Sequence, residues 1–302
     1  MKKGWIVLNV LCIGIVCMMM TSCTSIFQPK ELESFGHCGE QLNWTYDQKK
    51  KTLTISGSGA MNAPKFYWNE YEIYTLVLEE GMTSISQSAF YGHSELRGEL
   101  KLPSTLETIE EFVFYDCGNL EGDLIVPDSI EEIGAHAFWN CGFDGKLVLS
   151  KSLKKMGIYA FSSCRKLMGS LLIPELMETI PSHAFAYCTS LESVTFPGAL
   201  KYISEGAFRD CTALTNIGLP EHLLIIGNDA FSHCISLEGD FNFQDTLLSI
   251  GECSFENCKK IKHIKLPESL LNIKEDAFVD CEALCGALVI PDSVYVIGPN
   301  AF

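Results

Sequence analysis

Apolar positions recur along this chain with a period of 23 or 24 residues, from Phe90 to the last residue, Phe302. Each period carries a Phe that usually follows a small residue, and in eight periods a Cys stands three positions after it. A fixed period of this length indicates stacked copies of one structural unit. The recurring aromatic residues are Phe90, Phe114, Phe138, Phe161, Phe185, Phe208, Phe231, Phe255, Phe278 and Phe302. The cysteines are Cys117, Cys141, Cys164, Cys188, Cys211, Cys234, Cys258 and Cys281.

The apolar spacing inside one period predicts short extended segments. In residues 191–211 the apolar side chains are Leu191, Val194, Phe196, Leu200, Ile203 and Phe208. This spacing matches neither a sustained helical period nor a long alternating strand. It predicts a short strand, a turn, an irregular return and a second short extended segment. In most periods a Pro follows the third apolar position and ends the first strand, because Pro cannot donate a hydrogen bond to a ladder.

Two recurring glycines predict special backbone conformations. Long repeats carry a Gly between two Leu residues, as at Gly98, Gly122 and Gly169, and this extra residue predicts a β-bulge at the entrance of the strand. A second Gly follows the Ile of the return, where we expect a tight bend with positive φ. The glycines of this second set are Gly134, Gly157, Gly227, Gly251 and Gly298.

The segment before the repeats predicts a β-hairpin. Two alternating apolar runs, Leu42-Trp44-Tyr46 and Leu53-Ile55, are separated by the polar sequence DQKKK. A solenoid needs its first apolar face covered, so the aromatic residues of this segment are expected to form a cap. The alternative is that they form a binding platform. These aromatic residues are Trp44, Tyr46, Phe66, Tyr67, Trp68 and Tyr71.

The repeat resembles the BspA-type leucine-rich repeats of bacterial surface proteins, whose usual form is LxxIxLPxSLxxIxxxAFxxCxx. The resemblance runs from Ile73 to Phe302, and the sequence from Cys38 to Met61 resembles the segment that precedes the repeats in that family. It implies a β-rich solenoid, a leucine-rich repeat array of about ten turns of 23–24 residues with an N-terminal β-hairpin cap.

The extreme N-terminus predicts export and a lipid anchor. Lys2 and Lys3 precede an apolar run at residues 5–20, which is short for a membrane span and typical of a signal peptide. The sequence MTSC that follows resembles the bacterial lipoprotein cleavage box, with Cys23 as the lipidated residue. An uncleaved anchor helix is the alternative. The expected segments are a signal peptide (1–22), a tether (23–35), a β cap (36–72) and the solenoid (73–302).

The last repeat is incomplete, because the sequence stops at Phe302 before the Cys that the pattern leads us to expect. A solenoid normally closes with an atypical, more polar unit. We therefore expect a fragment or a truncated reading frame. In the alternative, the array ends here and its exposed face dimerises end to end.

Composition and motifs favour a binding protein over an enzyme. The formal net charge of −16 argues against nucleic acid, which needs a basic footprint. The repeated cysteines occupy one inward position and are expected to act as small buried apolar residues, although disulfides between neighbouring copies are the alternative. The pairs Cys253 with Cys258 and Cys281 with Cys285 lack the CxxC spacing of zinc sites. No catalytic motif is present, and we expect no metal and no cofactor.

One exposed strand position in each repeat supplies the candidate binding residues. Three consecutive members, Ile125, Val148 and Leu172, are apolar and predict a shallow patch for a protein partner. The alternative is that branched residues stand there for their β-propensity. We expect a cell-surface lipoprotein of the outer membrane that binds proteins or mediates adhesion, with host matrix or another bacterial surface as the partner that the resemblance implies. The alternative function is a glycan-binding accessory lipoprotein of the periplasm or outer membrane. The full row is Val77, Lys101, Ile125, Val148, Leu172, Thr195, Gly218, Asn242, Lys265 and Val289.

Overall fold

Each sequence period forms one turn of a β-solenoid of about eleven turns of about 23 residues, which confirms the predicted fold class. The structure is a computed structural model that describes residues 34–62 and 66–302. The predicted signal peptide, Cys23 and nearly all of the tether lie outside the described residues. Within the described residues no helix is long and apolar enough to cross a membrane.

Two parallel strand ladders run along the solenoid. The front ladder consists of the strands that precede the prolines: Thr75–Leu78, Gly98–Glu99, Leu120–Glu121, Leu124–Ile125, Leu147–Val148, Gly169–Leu172, Leu191–Thr195, Asn216–Gly218, Glu238–Asn242 and Lys260–Lys265. The return ladder consists of Met82–Ile85, Thr108–Ile109, Glu132–Ile133, Lys155–Met156, Thr179–Ile180, Tyr202–Ile203, Ile225–Ile226, Ser249–Ile250, Asn272–Ile273 and Val296–Ile297. Most neighbouring turns pair in parallel register within a ladder, as Tyr202 does with Ile225.

The third side of each turn carries the recurring Phe and is also hydrogen-bonded between turns. The Phe114 N–H donates to the Ala137 carbonyl at 2.7 Å, and the Asp116 N–H donates to the Trp139 carbonyl at 2.8 Å. The residues two positions before and two positions after the Phe adopt positive φ, as at Phe112 (57°) and Asp116 (62°). Asp and Asn tolerate this left-handed conformation better than most residues. They recur at the second of these positions: Asp116, Asn140, Asp210, Asn257 and Asp280.

The prediction of positive φ at the glycines after the return Ile is wrong. Positive φ occurs two residues before the Phe instead, and none of Gly134, Gly157, Gly227, Gly251 and Gly298 adopts it. A Cβ on Gly157 would lie 2.2 Å from the backbone nitrogen of Ala135 in the preceding turn. Gly is therefore needed because successive turns approach closely there, where the Gly157 N–H donates to the Ile133 carbonyl at 2.8 Å.

The predicted bulge is confirmed at Gly169. Gly98, Gly122 and Gly169 have φ of 76–77°. The pairing register between neighbouring front strands shifts at Gly169 and again at Gly239. The extra residue of the long repeats is therefore accommodated at the entrance of the front strand.

Pro181 divides the return ladder. At the equivalent position, the Gly157 N–H donates to Ile133 and the Ser204 N–H donates to Ile180 at 2.9 Å. Pro181 has no N–H to donate to Met156. The ladder accordingly separates into an eight-stranded sheet that includes the N-terminal hairpin and a six-stranded sheet that begins at Thr179–Ile180.

The core is a continuous column of stacked Phe rings. From Phe90 to Phe302, neighbouring ring centroids lie 5.2–5.6 Å apart with nearly parallel planes. Trp68 starts the column, because its ring stacks on Phe90 at 5.9 Å and its Nε1–H donates to the Ala89 carbonyl at 2.8 Å. The rings from Phe90 to Phe278 are buried, and their burial is a major part of the hydrophobic stabilisation of the array.

The N-terminal cap is the predicted hairpin, and it continues both ladders. Strand Gln41–Asp47 pairs antiparallel with Thr52–Ala60, and Phe35–His37 pairs antiparallel with Gln41–Asp47. The long strand Thr52–Ala60 then pairs in parallel with Thr75–Leu78 of the front ladder and with Met82–Ile85 of the return ladder. A short 3₁₀ helix spans Tyr67–Glu70.

The aromatic residues of the cap are packed inward. Trp44 and Trp68 are fully buried and meet edge to face at 6.1 Å, whereas Tyr67 is exposed. This burial favours the cap over a binding platform, because buried ring faces cannot receive a ligand.

Candidate interaction surfaces

The predicted row of the front ladder faces solvent along its whole length. Ile125, Val148 and Leu172, together called the apolar patch below, are 59%, 49% and 64% exposed. Val148 pairs in parallel register with Ile125. The flanking residues Leu124 and Val126 are buried, because successive side chains of a strand point to opposite faces.

An acidic groove adjoins the apolar patch. It has a volume of about 640 Å³, and Ile125 forms part of its lining. Three carboxylates contribute to the lining, whereas one basic side chain, Lys101, does so. The carboxylates are Glu80, Glu99 and Asp123. The patch is therefore apolar at its centre and negatively charged toward the N-terminal turns.

The return ladder carries a larger groove of about 960 Å³, where Pro181 interrupts the strand pairing. Its lining mixes both charges, as Glu132, Lys155 and Glu178 show. Lys155 Nζ lies 4.0 Å from Glu132 Oε2. Four glutamates and two lysines line this groove, so it is acidic overall, like the groove beside the apolar patch.

The return ladder also exposes apolar residues that the sequence analysis missed. Tyr202, Ile225 and Leu248 stand on three successive turns and are 38–39% exposed. Tyr202 and Ile225 are paired across the ladder, whereas Leu248 precedes the strand in which Ser249 pairs with Ile225. These three residues are less exposed than every member of the apolar patch.

Two columns of aromatic and imidazole rings lie on the Phe side of the N-terminal turns, and the sequence analysis missed them too. Both consist of rings at one repeat position, spaced 23 or 24 residues apart. In each column the neighbouring rings stack face to face at 4.4–4.9 Å. Ring edges therefore point outward, while the ring faces cover one another. The first column is Tyr91, Tyr115 and Trp139; the second is Phe112, His136, Tyr159 and His183.

The second column ends where its outer ring meets a glycine. A Cβ on Gly206 would lie 2.2 Å from His183 Nδ1, so the imidazole packs directly against bare backbone. Inside the column, burial lowers the pKa of His136 and the nearby Glu111 carboxylate opposes that shift. The imidazole of His136 therefore favours its neutral form, as a ring stacked between Phe112 and Tyr159 should.

The cysteines of the repeat are buried thiols with a hydrogen-bonding role. Each Sγ donates to the carbonyl of a Phe one turn earlier, as Cys188 does to Phe161 at 3.3 Å and Cys164 does to Phe138 at 3.0 Å. The same contact recurs at Cys117, Cys141, Cys211, Cys234, Cys258 and Cys281. Burial raises the pKa of Cys164 and of Cys281 to about 12. These thiols therefore stay protonated and unreactive.

Asp229, Cys253 and Glu256 form the one group of potential metal ligands within the described residues. Asp229 is already engaged, because Arg209 Nη1 donates to its Oδ1 at 2.7 Å. Burial, followed by the surrounding carboxylates, raises the pKa of Cys253 to about 11.

Comparison with known proteins places this architecture among bacterial repeat proteins. The family model described as BspA type leucine rich repeat region matches residues 61–191 and 178–302, in six copies. A leucine-rich repeat protein of T. pallidum is 26% identical, with 67% of this chain and 91% of that chain covered and a TM-score of 0.50. A search of curated proteins gave no significant match.

Two further solved structures are similar to this chain at lower identity. A leucine-rich repeat protein of Eubacterium ventriosum is 20% identical, with 89% of this chain and 94% of that chain covered and a TM-score of 0.46. A leucine rich cell surface protein of Faecalibacterium prausnitzii is 19% identical, with 82% and 92% covered and a TM-score of 0.42.

Proposed function

The chain belongs to the family of BspA-type leucine-rich repeat proteins, and from that membership we propose that it is a surface lipoprotein that binds another protein through its front ladder. Membership in this family indicates a repeat protein that is suited to interaction with other proteins. The adhesive role, the anchor and the position of the binding surface are our proposals.

The observation that carries the proposal is the apolar patch. Ile125, Val148 and Leu172 are each about half exposed or more, whereas the residues before and after each of them are buried on the opposite face. Their backbones belong to paired strands on a rigid, repetitive core. Binding to such a surface costs little ordering of the protein itself, which favours affinity.

The charge around the apolar patch favours a partner with a basic rim. The adjoining groove presents Glu80, Glu99 and Asp123, and the whole chain carries a net charge of −16. Complementary charge accelerates encounter and suppresses wrong partners more than it raises affinity. A host matrix protein or another bacterial surface protein with apolar side chains surrounded by Lys and Arg fits these requirements.

The anchor and the segments of the chain complete the proposal. A signal peptide at residues 1–22 and lipidation at Cys23 would place the protein on the outer membrane, with residues 23–35 as a tether. The cap would span residues 36–72 and the solenoid residues 73–302. Membership in a repeat-protein family supports binding over catalysis as the function of this solenoid.

The glycan-binding alternative receives less support. Sugars stack on exposed ring faces, where C–H groups meet the negative π-surface. In the two aromatic columns the faces of most rings are covered by their neighbours, and ring edges point outward. The surface therefore suits contact with a protein better than stacking against a carbohydrate.

The proposal is tested by placing charge on the apolar patch. The double variant Ile125→Glu/Leu172→Glu, displayed on cells, should lose adherence to immobilised matrix proteins and to partner bacteria. Its Tm should stay close to that of the native protein, because both side chains already face solvent. Val289→Glu is the matched control, because Val289 is an exposed apolar residue of the same row, outside the apolar patch. Unchanged adherence of the double variant would refute the assignment of the patch.

A further inference from the structure

Three polar side chains of the C-terminal turns form a chain of contacts on the exposed side of the front ladder. Asp240 and His263 occupy paired positions of neighbouring parallel strands. Cys285 lies in the next turn, just before the bulge glycine Gly286. Because the three residues are 22 and 23 positions apart, the stacking of turns brings together groups that no local motif reveals.

The contacts orient the imidazole toward the thiol. His263 Nδ1 lies 2.7 Å from Asp240 Oδ1, and Cys285 Sγ lies 3.7 Å from His263 Nε2. An ionised carboxylate only accepts hydrogen bonds, so the neutral imidazole donates from Nδ1 and keeps the lone pair of Nε2. That lone pair faces the thiol. A nucleophile beside a base that is held by a third group is the arrangement that activates thiols.

The backbone fixes this arrangement. The Cys285 N–H donates to the Lys262 carbonyl at 2.9 Å, which anchors the thiol beside the strand of His263. Gly286 has a φ of 87°, and a Cβ there would lie 3.4 Å from His263 Cδ2. The contact at 3.4 Å is an ordinary one, so glycine is favoured here by the positive φ of the turn that carries Cys285.

The thiol is accessible, unlike the repeat cysteines. Cys285 is exposed, and the side chains of Asp240 and His263 are 59% and 56% exposed. Equivalent positions of other turns also face solvent, as at Met168 and Glu238. A side chain at this repeat position is therefore exposed also where further turns follow, as they do after Met168 and Glu238.

Three basic residues share the strand of His263. Lys260, Lys262 and Lys265 are exposed on the strand that carries His263. In the sequence Cys285 stands out only beside Cys281, and no local motif links it to the imidazole one turn away.

We propose that Cys285 is a reactive surface thiol, activated by His263 and Asp240, that undergoes thiol–disulfide exchange with a disulfide of a partner protein. His263 Nε2 accepts the proton of the thiol. The Cys285 sulfur attacks one sulfur of the partner's disulfide, the S–S bond of the partner breaks, and a mixed disulfide forms. The departing sulfur leaves as a thiolate and takes the proton from His263. The exchange needs no external oxidant, and disulfide-bearing proteins are common outside the cell.

The test measures the reaction of the intact protein at pH 7 with two small disulfides of opposite charge, 5,5′-dithiobis(2-nitrobenzoic acid) and cystamine. One thiol should react rapidly with both reagents. Cys285→Ser should abolish this fast reaction, and His263→Gln should slow it about 10-fold or more with both reagents, because it removes the proton acceptor. Cys253→Ala is the matched control and should leave the fast reaction unchanged.

Three results would overturn the proposal. Fast reaction that survives Cys285→Ser would place the reactive thiol elsewhere. An unchanged rate in His263→Gln, with an unchanged Tm, would show that the imidazole does not activate the thiol. A slower rate confined to the anionic reagent would show that His263 acts only through its charge. Should His263→Gln fail to fold, Asp240→Asn provides the second variant, and it should slow both reagents.

Discussion

Replacing Phe185 by Ala should destabilise the solenoid far more than replacing Cys188 by Ala. Phe185 is buried between Phe161 and Phe208, with ring centroids at 5.6 and 5.4 Å. Truncation of a buried Phe typically costs about 3–5 kcal/mol. We expect the upper half of that range, because the change interrupts the column on both sides and stacked pairs contribute beyond their buried area.

The Cys188→Ala change removes much less. It deletes a group of about the size of one methylene, worth about 0.8 kcal/mol, and one weak S–H···O contact. The Phe161 carbonyl that loses this contact still accepts the N–H of Cys164 at 3.3 Å. We therefore expect a loss of about 1–2 kcal/mol.

Urea unfolding followed by circular dichroism, with and without a reducing agent, measures both free energies of unfolding. Equal losses for the Phe185 and Cys188 variants would contradict the packing account. A Cys188 effect that appears only under oxidising conditions would instead reveal a disulfide between neighbouring turns.

Three further predictions follow from the fold and the N-terminus. Gly157→Ala should destabilise the protein by about 1–3 kcal/mol in thermal unfolding, because the added Cβ would lie 2.2 Å from backbone. Gly218→Ala is the control and should change stability little, because the space around Gly218 is open. Equal effects of the two changes would contradict the explanation by close approach of the turns. Trp68→Ala should increase amide hydrogen exchange in the first turns, because it uncovers Phe90; uniform protection would argue against the cap. Cys23→Ala should release the chain from membranes or stall its processing. Membrane fractionation would detect the release, and mass spectrometry of the mature chain would detect the failed processing. Unchanged membrane association and unchanged mass would refute lipidation.

Much of the fold could be predicted because the period is written directly in the sequence. A repeat that buries the same side chain in every turn leaves an unambiguous signal, as the Phe and Cys positions show. The hairpin was also predictable, because Trp44 and Tyr46 alternate with polar residues next to a polar turn. Local pattern and global packing agree at these positions.

The glycines after the return Ile could not be interpreted from sequence. A Gly is compatible with positive φ and with close backbone approach alike, and only the position of the neighbouring turn decides between them. At Gly157 that neighbour is the backbone of Ala135, 22 residues earlier in the chain. The positive φ falls instead on residues such as Tyr159, whose side chain gives no hint of it.

The surface features escaped prediction for a related reason. Asp240, His263 and Cys285 are unremarkable one by one, and their proximity arises only when the turns are stacked. The same holds for the ring columns that contain Tyr115 and His136. Reading residues at one repeat position down the array would have found these groups.

The most direct test of the central claim, a surface protein that presents its solenoid to partners, is protease treatment of intact cells. The account predicts that added protease removes the solenoid from the cell surface while a protein of the cell interior stays intact. A Cys23→Ala strain should lose the cell-associated signal before protease is added. Protection of the solenoid in intact cells, with digestion only after lysis, would contradict the account.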